Sequence, residues 1–158
     1  MKQKTDEAGW PVPTVPASKN RGGHSTPQNI DFPVFGYRIG VVFSTHVPLT
    51  MKEYFSNFEG TEEDTEACHC PFKNEGKALL FFPFTVAPGT IAHEAYHAVR
   101  RMLSYEGIGL YEAEDDDNLD NETVAYHLGY LVKEILKCQK VANKGRRAFL
   151  AKHKRTKK

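Results

Sequence analysis

At 158 residues, 40% of them apolar, the chain has the length of one domain and enough apolar side chains for a single modest core. Its formal net charge of +1 hides an asymmetry: residues 139–158 carry nine Lys/Arg and no acid, leaving 12 basic against 20 acidic residues, or −8, in the first 138. Three cysteines argue against a disulfide framework, no stretch reaches the roughly 18 apolar residues of a membrane span, and the opening segment lacks the apolar core of a secretory signal, so a soluble cytoplasmic protein is expected.

Residues 1–34 hold five of the nine prolines and the Arg21-Gly22-Gly23 turn signal, and read as a leader or wrapping arm. The aromatic and β-branched run 35–43 predicts a strand. A short helix is expected over 50–58, then an acidic, irregular stretch over 59–76. Residues 77–84, KALLFFPF, predict a second strand, at a sheet edge or ending at Pro83, which cannot donate a ladder hydrogen bond. Thr90 is the expected N-cap of a helix from Ile91 to about Ser104. An acidic, glycine-containing loop follows. A second long helix is predicted over 122–140, capped by Asp120 or Asn121, with a basic tail over 141–158 that can continue as helix. The domain proper thus spans 35–140.

His93-Glu94-Ala95-Tyr96-His97 carries the chemistry. On a helix, positions i and i+4 lie about 40° apart on one face, so two imidazoles can close on one tetrahedral cation. A glutamate directly after the first histidine projects beside that site, where it can hold and deprotonate a metal-activated water. The helical wheel adds to this five-residue pattern. Ile91, Ala95, Ala98 and Met102 cluster within about 60° at 100° per residue, and Val99 extends the stripe. His93 and His97 fall on the opposite side, facing solvent or a cleft rather than the core.

A catalytic zinc takes three protein ligands and leaves a fourth position open. Glu122 at the start of the second helix is a candidate third, since Ala125 and Gly129 beside it permit close helix approach. His127 is the rival, and Asp115, Asp116, Asp117 and Asp120 lie in the loop before. Glu122 and His127 stand five positions apart, about 140° net, so they do not both face one metal.

The run HEAYH, 24 intervening residues, then Glu122-Thr123-Val124-Ala125-Tyr126 resembles the gluzincin metallopeptidases. The E-x-x-A step looks most like their small intracellular branch, typified by phage-repressor-cleaving and radiation-response metallopeptidases. The resemblance covers roughly residues 77–137, and Tyr126 stands where that branch often has asparagine. It implies an α+β, zincin-like fold: a small twisted sheet with an edge strand, an active-site helix and a second, ligand-bearing helix. It implies that His93, His97 and Glu122 are zinc ligands and Glu94 the general base. It implies too that the strand Ala78–Phe84 is the edge to which an extended peptide substrate adds. The expected function is zinc-dependent peptide hydrolysis, with Tyr126 or Tyr96 able to donate to the oxyanion.

Three stretches stand outside that reading. Cys68-His69-Cys70 offers soft donors for a second metal but has no partner C-x-x-C, so loop cysteines are the default. The acidic run 112–120 does not fit an EF-hand and reads as a solvated loop that favours basic substrates. The tail can contact nucleic acid or an acidic partner. The alternative function is accordingly a non-catalytic, zinc-stabilised protein that binds a nucleic-acid-associated partner through this tail.

Overall fold

The computed structural model of the protein describes residues 5–7, 9–11, 23–55, 67–72, 75–108 and 118–155, with backbone alone at 118–121 and 153–155. In chain order its elements are β1 (Gln28–Phe32), β2 (Tyr37–Ser44), α1 (Val47–Tyr54), β3 (Cys68–Pro71), β4 (Lys77–Pro83), α2 (Pro88–Tyr105) and α3 (Asn118–Arg155). This is an α+β fold. The four strands form one mixed sheet in the order β1-β2-β4-β3. Its two outer pairings are antiparallel, and the central β2–β4 pairing is parallel.

Alternation along the strands divides the core in two. Ile39, Val41, Phe43, Ala78, Leu80 and Phe82 face α2 and α3. Val42, Leu79 and Phe81 face the other way, onto Val47, Met51 and Tyr54 of α1 and onto Trp10. Because β2 and β4 are covered on both faces, they read in the sequence as continuous apolar runs rather than alternating ones.

Of the two alternatives for β4, the strand does end at Pro83, and its placement at the sheet edge is corrected. It pairs with β2 on one side and β3 on the other. Pro83 is its last residue, opposite Ser44, so the missing N–H falls where the ladder ends. The edge beside α2 is β3, a four-residue strand within the stretch expected to be irregular. Residues 59–66 and 73–74 of that stretch, and 56–58 of the expected helix, lie outside the described residues.

Part of the expected N-terminal arm belongs to the fold. Gln28–Phe32 is a strand, joined to β2 by a tight turn in which Gly36 takes φ 58° and donates to Pro33 O at 3.3 Å. Further back, Trp10 is 1% exposed. Its backbone N–H donates to Asp6 Oδ1 at 2.8 Å and its indole N–H to Asn29 Oδ1 at 2.7 Å. The ring lies close against Gly40, where a Cβ would come within 2.9 Å of Trp10 and 2.7 Å of Leu79.

The helices start earlier than expected, for local reasons. His46 caps α1, its Nδ1 accepting from Leu49 N at 3.3 Å, and Pro48 fits the first turn, so α1 begins at Val47 rather than near Thr50. In α2 the cap is Ala87 with no side-chain bond; Pro88, which needs no N–H partner, sets the first turn, and Thr90 lies inside the helix. Gly107, at φ 72°, closes its end by donating to Ser104 O at 3.2 Å. α3 runs 38 residues, so Asp120 and Asn121 stand inside it and the expected tail is helical to Arg155. Gln139 Nε2 and Asn143 Nδ2 each donate to Phe84 O at 3.2 Å, and the Arg146 guanidinium lies 4.8 Å over the Phe84 ring. These contacts tie the first part of the expected tail to the body.

Removing the indole should therefore open the second core. We expect Trp10→Ala to lower the unfolding free energy by roughly 3–5 kcal/mol, the range for deleting a large buried aromatic. Urea unfolding checks this, and a loss under about 1 kcal/mol would mean that the segment around Trp10 is not part of the core.

Candidate functional site

The buried side of α2 consists of Ile91, Ala95, Ala98, Val99, Met102 and Leu103. Packing that stripe on the sheet turns His93 and His97 outward, as the wheel predicts. Their Nε2 atoms converge to 3.2 Å, with the rings nearly perpendicular at 80°. The His93 side chain is 67% exposed, whereas that of Glu94 is only 13% exposed, and Glu94 Oε1 lies 3.9 Å from His93 Nε2. Three of the residues singled out in the sequence thus sit within one turn of helix.

A groove of about 850 Å³ runs beside them between α2 and β3. Glu94, His97, Arg101 and Ser104 line its helical wall, and His69 and Pro71 of β3 line the other. His69 pairs in register with Leu80, which directs it to the α2 face of the sheet. Its Nε2 is buried without a hydrogen-bond partner among the described residues. Burial first, then the nearby His97 and Arg101, hold the His69 imidazole down to about 4, so it is neutral at ordinary pH. Sequence reasoning named His69 only within Cys68-His69-Cys70 and missed its place in this groove, because its strand carries too few apolar residues to be read as one.

Cys68 and Cys70 pair in register with Phe81 and Leu79 and so belong to the opposite face, against the α1 core. Their Sγ atoms are 3.6 Å apart. The hydrogen bond from Cys70 holds the Cys68 thiol below its usual range, and the same bond with burial pushes Cys70 up. Cys138 is half-buried in α3, where burial raises it.

The remaining candidates are dispersed. Glu122 is exposed on α3. It precedes the buried Leu131 by nine positions, which puts it about 180° around the helix from the core stripe. α3 packs through Val124, Leu128, Leu131 and Ile135. Ala125 and Gly129, expected at a close helix approach, are exposed instead, and a Cβ at Gly129 would meet nothing within 4 Å. Tyr126 is 75% exposed, with the His127 ring 5.4 Å away. Tyr96 lies next to Arg100, whose Nη1 donates to its hydroxyl at 3.5 Å. His127 packs edge-on against Phe32 and Phe35, and burial lowers its pKa. Among the described residues, no three His, Cys, Asp or Glu side chains gather as a metal-holding group. Residues 109–117, with Asp115, Asp116 and Asp117 among them, lie outside the described residues, as does the side chain of Asp120.

Compared with known protein families, curated proteins and solved structures, the chain matches none. Among its described residues no helix is long and apolar enough to cross a membrane.

The neutral His69 has a consequence for stability. Its pKa is 6.5 in the unfolded chain and about 4 when folded, so its contribution is complete above 6.5 and is lost as pH falls towards 4, where unfolding takes up a proton. We expect the unfolding free energy of His69→Leu to fall less steeply with pH across that window than that of the unmodified protein. Urea titrations at several pH values compare the slopes, and equal slopes would mean that His69 is already solvated.

Proposed function

We propose that the protein is a zincin-like, zinc-dependent metallopeptidase with His93 and His97 as metal ligands and Glu94 as general base. The observation that carries this is the 3.2 Å separation of the two Nε2 atoms. Two nitrogens bound tetrahedrally to one zinc, each at roughly 2.0–2.1 Å, stand about 3.4 Å apart, so the pair fits such a cation with little adjustment. Coincidental pairing of two surface histidines would not require a shielded carboxylate beside them, and Glu94 supplies one.

Zinc bound there supplies a Lewis acid for the scissile carbonyl and brings the pKa of the attacking water towards about 7. The protein's residues do the rest. Glu94, beside His93 and open to the groove, takes the proton from the water and returns it to the leaving amine. The groove offers an extended peptide a course along β3, whose outer edge has no partner strand among the described residues. We place Glu122 as the third donor. To reach the histidine pair, the first turns of α3 have to present their exposed side towards α2.

Two measurements test this reading. Glu94→Gln is nearly isosteric and removes only the proton-carrying function, so it should keep its zinc and its melting temperature while turnover of a casein-type substrate falls by 10²-fold or more. Retained turnover would sink the general-base assignment, and an unmodified protein that neither binds zinc nor cleaves would remove the metallopeptidase reading. After mild chelation, Glu122→Ala should retain much less zinc than the unmodified protein, whereas His127→Ala should lose packing against Phe32 and Phe35 but keep its metal. The reverse order would make His127 the ligand.

A further inference from the structure

The outer face of α3 is a line of cations. Lys133, Lys137, Lys140, Lys144 and Arg147 follow one another at i, i+4, i+7, i+11 and i+14, and all five are exposed. At 100° per residue they fall within about 80° of arc and extend over about 21 Å of axis. Leu131, Ile135 and Ala142, on the opposite side, are buried in the core, so the stripe is held outward. Of the five, only Lys137 has an acid partner among the described residues, Glu134 Oε1 at 2.6 Å. Like charges at i, i+3 and i, i+4 cost a helix stability, and nothing within the described fold offsets this at Lys140, Lys144 and Arg147. A line of anions outside the molecule would.

We infer that this stripe is a docking surface for duplex DNA, held through its phosphate backbone without sequence preference. The charge pattern fits a stiff polyanion: one cation about every 5 Å of helix against one phosphate about every 3.4 Å along each DNA strand. Residues 133–147 contain no aromatic side chain, so unstacked bases find no platform along the stripe itself, the exposed Tyr126 and Tyr130 standing beyond its N-terminal end. An anionic membrane suits the stripe less well, because Leu131, Ile135 and Ala142 are packed in the core and the exposed Val141, Phe149 and Leu150 are spread over about 180° of arc rather than gathered into one face to insert into lipid. The surface is not the terminal tail alone; it begins at Lys133, in the middle of α3. It is independent of the peptidase reading and stands or falls separately.

The test uses the full chain and an end-labelled DNA duplex of arbitrary sequence, read by fluorescence anisotropy as salt is raised. If all five cations pair with phosphate, log K should fall against log salt with a slope of about −4.5. The variant Lys140→Gln/Lys144→Gln/Arg147→Gln replaces exposed residues by a good helix former, and circular dichroism confirms its fold. It should bind at least tenfold more weakly at low salt, with a slope shallower by about 2.7. Removal of residues 153–158 should leave most of the affinity. No binding by the unmodified protein at low salt overturns the proposal, as does unchanged binding by the triple variant. Tighter binding to a single strand or to phosphatidylserine vesicles than to the duplex overturns it too.

Discussion

The rest of the molecule is arranged around two neighbouring parallel strands that are buried on both faces. Val41, Val42 and Phe43 of β2 and Leu79, Leu80, Phe81 and Phe82 of β4 are all at 0% exposure. Each such side chain contributes about 1.5–3 kcal/mol when taken fully from water, so this pair forms the largest block of apolar burial in the fold. Parallel neighbours cannot be joined by a hairpin, and both of their faces must be covered. The chain meets the first demand with α1 and β3 between them. It meets the second with α1 and the Trp10 segment on one side and α2 with α3 on the other. The outward aim of His93 and His97 follows from this: once Ile91, Ala95, Ala98 and Met102 are seated on the sheet, the opposite side of α2 has only one direction left.

The groove owes its character to the narrowness of the sheet at that margin. β3 is four residues long, so the α2 wall overhangs a short edge rather than another apolar strand. Polar groups gather there: the shielded carboxylate of Glu94, the exposed imidazole of His97, the Arg101 cation and the neutral ring of His69. With a carboxylate, two imidazoles and a fixed cation in its lining, the groove is polar at a margin where the rest of the sheet is apolar.

Much of this was legible in the sequence where local and global signals agreed. β2 and β4 announced themselves by dense aromatic and β-branched runs, and α2 by an apolar stripe that correctly left the histidines on the far side. The failures have physical causes. β1 has only Ile30 and Phe32 to bury and sits among prolines, so its strand character depends on β2 as a partner. β3, Cys-His-Cys-Pro, has no propensity signal and is held by its ladder to β4. The proline rule for β4 was sound, but a proline at the final rung costs no hydrogen bond in a central strand. Which way the first turns of α3 face is a different matter from such failures, because spacing in sequence carries no information about it: Leu131 is buried, and Glu122, nine positions earlier, is exposed.

The chain contains a single tryptophan, Trp10, and that indole lies beneath the sheet on the side away from α2. Its partners Asn29, Gly40 and Leu79 lie between 19 and 69 positions further along the chain, so the seat exists only after β4 has been made and paired. Intrinsic fluorescence of this protein is therefore a signal of late, long-range closure of the lower core. It is correspondingly silent about events at His93 and His97, where the nearby chromophores are tyrosines.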